Sequence, residues 1–127
     1  MNNTINGLSI VATPIGNLED ITYRAVNVLE GCDIIICENP KHSLKLLNKL
    51  GIKKKLIALH DYNEQKIIDQ IKNYLKIKSC VLISDAGSPL ISDPGYNLVQ
   101  YCINNNIKVT SVPGPSSVIS ALQLSGL

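Results

Sequence analysis

The sequence predicts an α/β domain built on a five-stranded, mainly parallel sheet flanked by helices. Three observations predict it. Five short apolar runs recur along the 127 residues, each of strand rather than helix length. Turn residues follow each run, and then a segment with apolar positions at helical spacing. The runs Ile34-Ile35-Ile36-Cys37 and Val81-Leu82-Ile83 are apolar throughout, as expected of strands covered on both faces. Strand and helix in alternation call for parallel pairing through right-handed crossovers.

The first run, Leu8-Ser9-Ile10-Val11-Ala12, closes on the turn Thr13-Pro14-Ile15-Gly16-Asn17. A helix follows, with Asp20 or Thr22 as its cap, Ala25, Val26 and Leu29 as its inward stripe, and Gly31 at its end. The second run stops at Glu38-Asn39-Pro40. Pro40 can open the next helix, because the first helical N–H needs no intrahelical partner. That helix carries Leu44, Leu47 and Leu50, and Gly51 is placed to terminate it.

Leu56-Ile57-Ala58-Leu59 is the third strand, ending at His60-Asp61-Tyr62-Asn63. The helix after it sets Ile67, Ile68, Ile71 and Leu75 on one face, with Lys66, Lys72 and Lys76 on others. The fourth strand leads into a loop of small residues from Ser84 to Tyr96, backed by a helix with Leu98, Val99, Cys102 and Ile103. Residues 107–112 alternate in character, so the fifth strand should be less completely covered. Pro113-Gly114-Pro115-Ser116-Ser117 then leads into a last helix bearing Val118, Ile119 and Leu122. No repeat, low-complexity segment or linker interrupts this order, so residues 1–127 form one domain.

Composition narrows the function. Hydrophobic content of 45% with 17% charge belongs to a folded chain rather than a disordered one. A net charge of +2 and a pI near 8.3 are too mild to argue for nucleic acid. The only dense positive run, Lys53-Lys54-Lys55, reads as a solvated turn before a strand. The four cysteines form no C-x-x-C and sit beside no histidine pair. No metal is expected, and reduced thiols in the cytoplasm are. The N-terminus lacks a basic region, and its apolar run is too short for a signal segment or a membrane span.

In such a sheet the five strand-to-helix turns share one edge, which is where open α/β sheets bind ligands. The polar and conformationally special residues of this chain are concentrated in those turns. Gly16, Gly87, Gly95 and Gly114 can take unusual backbone angles or let a ligand approach. Asp85 can accept from ribose or amine groups, and Ser116-Ser117 at a helix start offer hydroxyl and backbone donors. Glu38 and His60 are the titratable candidates, the plain alternative being structural hydrogen bonding. There is no G-x-G-x-x-G, no G-x-x-x-x-G-K-[ST] and no G-x-S-x-G. A metal site from His60, Asp61 and Glu64 matches no familiar spacing.

Set side by side, the turns carry a resemblance. Ala12-Thr13-Pro14-Ile15-Gly16-Asn17-Leu18-Glu19-Asp20, Ser84-Asp85-Ala86-Gly87-Ser88-Pro89, Ser92-Asp93-Pro94-Gly95-Tyr96 and Val112-Pro113-Gly114-Pro115-Ser116 resemble, in order and spacing, the tetrapyrrole methylase superfamily. These are the class III S-adenosylmethionine methyltransferases. Leu46-Leu47-Asn48 and Ala58-Leu59-His60-Asp61 agree with it. The resemblance implies that residues 1–127 are the N-terminal domain of a two-domain fold, with the C-terminal domain absent from this chain and the cofactor held between the two. It implies S-adenosylmethionine as cofactor, facing Pro14, Asp85, Ala86, Gly87, Ser116 and Ser117.

Within the superfamily the 12–20 turn is similar to the branch that methylates a cytidine ribose 2′-hydroxyl in small-subunit ribosomal RNA. That implies an RNA or 30S-subunit substrate and a homodimer, with Glu38 and His60 as candidate catalytic residues. The tetrapyrrole branch, with its G-x-G-P-G-D turn and corrin-type small-molecule substrates, is the alternative. A folded but inactive fragment is the other. The family's second turn usually reads Glu-Asp-Thr-Arg. Here it reads Glu38-Asn39-Pro40-Lys41, which loses a carboxylate, a hydroxyl and a bidentate arginine. Tyr62 stands where a histidine is common.

Overall fold

The computed structural model of the chain describes residues 6–14, 16–60, 62–83 and 95–126. Strands β1 (Gly7–Val11), β2 (Ile34–Cys37), β3 (Lys55–Ala58), β4 (Ser79–Leu82) and β5 (Val109–Val112) alternate with helices α1 (Tyr23–Gly31), α2 (Pro40–Leu50), α3 (Glu64–Ile77), α4 (Tyr96–Asn104) and α5 (Ser117–Ser125). A 3-10 turn at Leu18–Asp20 precedes α1. The strands form one sheet in the order β3-β2-β4-β1-β5, and every pair is parallel.

Side-chain alternation explains why the strand runs are apolar at every position. On one face Leu8, Ile34, Ile36, Cys80 and Leu82 pack with Ile68, Ile71 and Leu75 of α3 and Leu98 of α4. On the other, Val11, Ile35, Cys37, Val81 and Ile83 pack with Leu29 of α1 and Leu47 of α2. Odd and even strand residues meet different helices, so both sets are mainly apolar, with Ser9 and Ser79 as buried exceptions. β5 lies at an edge and is only partly covered, with only Val112 fully buried in it, as its alternation predicts.

The helix boundaries follow local chemistry. Thr22, not Asp20, caps α1: its Oγ1 accepts the Ala25 N–H at 3.0 Å. Asn39 caps α2 by accepting the Lys41 N–H at 3.1 Å, and Pro40 takes the first helical position. Gly51 ends α2 in the left-handed region at φ 70, and its N–H donates to the Asn48 carbonyl at 3.2 Å. That conformation costs a residue with a Cβ.

Three expected core residues are instead outside. Leu44 is 46% exposed, while Leu46 is buried. Helical residues step by about 100°, which puts Leu44 past the edge of the stripe made by Ser43, Leu46 and Leu47. Ile103 stands 57% exposed for the same reason, one step beyond buried Cys102. Leu122 of α5 is 50% exposed. Among the described residues no helix is long and apolar enough to cross a membrane.

The strand order locates the ligand edge. From β1 to β2 to β3 the chain moves one way across the sheet, and from β3 to β4 to β5 it moves back. α1 and α2 therefore cover one face and α3 and α4 the other. β1 and β4 are neighbours, yet the chain leaves them toward opposite faces. Their carboxyl ends are therefore the switch point of the sheet, which is where open sheets bind ligands.

Candidate functional site

The β1 and β5 turns meet on that edge. A Cβ placed on Gly114 would lie 3.1 Å from the Ala12 Cβ and 3.6 Å from the Thr22 Cγ2, so the β5 turn sits directly on the β1 turn. This close approach is what a glycine there permits. Pro14 is buried in the β1 turn, and Ser116 is half-buried where α5 begins. Ser117 opens α5, but its side chain lies outside the described residues, as do Asp85, Ala86 and Gly87. Of the turn glycines, Gly95 has the positive φ, 127, and Gly16 and Gly114 do not.

Glu64 was not apparent as a key residue in the sequence. It is only 7% exposed, and its Oε1 accepts the Leu98 N–H at 3.1 Å, while Asn97 Nδ2 donates to Oε2 at 3.5 Å. Glu64 opens α3, and Leu98 is in the first turn of α4. One carboxylate thus lies at two helix N-termini, where the partial positive charge of each favours it. Gly95 has no side chain with which to cap α4, so Glu64 supplies the acceptor from another element. The segment arriving from the β4 turn is anchored here.

Glu38 and His60 come together in the backbone. β2 and β3 pair with Cys37 opposite Ala58, and the Leu59 N–H donates to the Cys37 carbonyl at 2.7 Å. The two residues therefore leave adjacent strands at the same edge, and both are exposed. The β3 turn is held by Asn63, whose Oδ1 accepts the His60 N–H at 2.8 Å and whose Nδ2 donates to the Ala58 carbonyl at 3.0 Å. These contacts fix where His60 sits in the turn. In place of the Asp-Thr pair that the resemblance leads one to expect, Asn39 and Pro40 preserve a well-formed helix start beside Glu38.

A cleft of about 590 Å³ lies between the β1 turn and α2, lined by Pro14, Leu18, Ser43, Leu46 and the long side chains of α2. Its size is that of a small-molecule site. The Ser43 hydroxyl is buried and has no hydrogen-bond partner among the described residues. Pro14 and Leu18 belong to the 12–20 string, but nothing in the sequence pairs that string with α2, because the two walls are distant in sequence and one is a 3-10 turn too short to show periodicity.

All four cysteines are buried, and burial pushes Cys32 up to about 11, Cys80 to about 12 and Cys102 to about 11. Cys32, Cys80 and Cys102 are therefore protonated at neutral pH and are poor nucleophiles and ligands. Among the described residues no group of three His, Cys, Asp or Glu is arranged to hold a metal ion.

Comparison with known proteins adds three findings. Residues 7–127 match the family model of tetrapyrrole (corrin/porphyrin) methylases. Ribosomal RNA small subunit methyltransferase I from Pasteurella multocida is 48% identical across the whole of this chain and 46% of its own length. Its namesake from Thermotoga maritima is 50% identical over 94% of this chain and 54% of its own. Among solved structures, diphthine synthase superposes with a TM-score of 0.70 at 17% identity, covering 94% of this chain and 49% of that one. Uroporphyrin-III-C-methyltransferase from Thermus thermophilus gives 0.64 at 21% identity, over 97% and 53%. The chain spans about half the length of the curated relatives it matches.

Proposed function

Because the chain belongs to the tetrapyrrole (corrin/porphyrin) methylase family, we propose that it forms the N-terminal half of an S-adenosylmethionine-dependent methyltransferase. Its substrate is the 2′-hydroxyl of a cytidine ribose in small-subunit ribosomal RNA, met on the 30S subunit. The observation that carries this reading is identity near one-half, over nearly the whole chain, to relatives named for that RNA. The tetrapyrrole-acting neighbour shares only the fold at 21% identity. The protein works in the cytoplasm as a homodimer, and its cofactor is completed by a second domain.

The residues present suit that cofactor. The β1 and β5 turns close against each other at Gly114 and Ala12, and the polar atoms offered there are donors: the Ser116 hydroxyl and the amides opening α5. A carboxylate and ribose hydroxyls need such donors. Pro14 gives a rigid apolar wall, and the family resemblance adds Asp85, Ala86 and Gly87, which lie outside the described residues, and Ser117, whose side chain does. S-adenosylmethionine supplies an electrophilic methyl group when bound.

The protein's task is then alignment: the ribose oxygen must be held about 3–3.5 Å from its target and in line with the leaving sulfur. Glu38 and His60, on adjacent turns, are the groups placed to take the hydroxyl proton. The test is methyl transfer from labelled cofactor to 30S subunits, run on this chain and on this chain joined to the remaining segment of a full-length relative. Label recovered in 2′-O-methylcytidine is expected. Label on a base or on a tetrapyrrole, or on neither RNA nor tetrapyrrole with the joined protein, would contradict the reading.

A further inference from the structure

The charge of this chain is mild overall but strongly uneven. Lys41, Lys45, Lys49, Lys53, Lys54 and Lys55 are half of the twelve Lys and Arg, and no Asp or Glu occurs from Asn39 to His60. All ten acidic residues lie elsewhere. The basic half maps to one place: α2 and the start of β3, the edge strand of the sheet. Lysines on an edge strand also discourage strand pairing between molecules, which accounts for Lys55 but not for those on α2.

On α2 the pattern is more specific. His42, Lys45 and Lys49 are spaced i, i+3 and i+7, which is one side of a helix, and all three are exposed and line the 590 Å³ cleft. Below them the walls are apolar: Pro14 and Leu18 from the β1 side, Leu46 from α2. The Ser43 hydroxyl, also of the lining, is buried without a partner among the described residues. A buried polar atom left unpaired is costly, and a native one calls for a ligand or water to satisfy it. An apolar slot with one unsatisfied hydroxyl and a cationic rim fits a nucleobase whose flanking phosphates run along the rim.

We propose that the α2 face is an RNA-docking surface. In it the Leu18/Ser43/Leu46 side of the cleft seats one base of a single strand, and Lys45 and Lys49 hold the adjoining phosphates. Tyr62, 99% exposed in the turn after β3, is a further aromatic face on which a base can stack. The surface begins at the helix that follows Glu38, so a strand docked there leads to the edge where the ribose reacts. This rests on the proposed RNA reading for its purpose, but not for its detection.

The test uses this chain and a short single-stranded RNA. The Lys45→Gln/Lys49→Gln protein is expected to bind roughly ten-fold more weakly, with a salt dependence of log K shallower by about 1.4, since each lost phosphate contact to a single strand removes about 0.7. Lys72→Gln/Lys76→Gln on α3 carries the same change in net charge and is expected to bind as the parent does. Leu18→Glu is expected to abolish the preference for RNA over inorganic polyphosphate while leaving thermal unfolding unchanged. Equal weakening by both lysine pairs, no RNA binding, or polyphosphate or polyglutamate binding as tight as RNA would overturn the proposal. Methylation of ribosomal RNA with Lys45 and Lys49 dispensable for binding sinks the docking surface and spares the enzyme assignment. Lysine-dependent RNA binding without methyl transfer does the reverse.

Discussion

Glu64→Ala is expected to lower the unfolding free energy by about 2 kcal/mol, because it leaves the buried Leu98 N–H unpaired and strips α4 of its cap. Against a total of roughly 5–15 kcal/mol for a domain of this size, that is a large fraction. The carboxylate serves a helix other than its own, so no nearby residue can substitute for it: Gly95 precedes α4 and has no side chain. Glu64→Gln keeps an acceptor and gives up only the charge, so its loss should be about half as large. Urea unfolding of the three proteins measures this. Because α4 receives the chain from the β4 turn, the alanine protein should also bind S-adenosylmethionine more weakly at a temperature where it remains folded. Equal stability of parent and alanine protein would show that Glu64 is not the cap.

Glu38→Gln and His60→Ala are the substitutions expected to affect chemistry most. A positioned base contributes typically about 10²–10⁴-fold, so turnover should fall by at least 10²-fold in the variant that removes it. The affinity for RNA should hold, since both residues are exposed at the sheet edge and neither lines the α2 cleft. The loss should appear in kcat rather than KM, and the acidic limb of the pH profile should disappear with the base. If both variants turn over at nearly the parent rate, alignment alone drives the reaction and neither residue is catalytic.

Much of this architecture is legible in the sequence because the sheet is covered on both faces. A run such as Ile34-Ile35-Ile36-Cys37 has no other reason to be apolar at every position, and in the structure its residues divide between two cores. Pro40 and Gly51 mark both ends of α2 through constraints that act on single residues, so they need no tertiary context. What stayed hidden depends on packing between distant elements. Leu44 and Ile103 carry the right side chains at the wrong angle, and only the position of the sheet decides that. Glu64 looks like an ordinary acidic first-turn residue of its own helix, and its contact with Leu98 spans two elements. The cleft depends on a 3-10 turn held by Asn17, whose Oδ1 accepts the Glu19 N–H at 2.9 Å, a two-residue signal that periodicity does not register. The basic face was visible only in part, as the triple lysine, because charge on a surface sums over residues that sequence windows separate.

On the proposed function, the turns at the carboxyl ends of β1, β4 and β5 form one side of the cofactor site. Chemical-shift mapping tests it directly. The labelled chain, joined to the remaining segment of a full-length relative, is titrated with S-adenosylmethionine. Saturable shifts are predicted at Ala12, Gly95, Gly114 and Ser116, with Asn6, Asn106 and Lys108 at the opposite edge unmoved. Saturable shifts centred on Asn6, Asn106 and Lys108, or the absence of saturable shifts at the carboxyl edge, would contradict it.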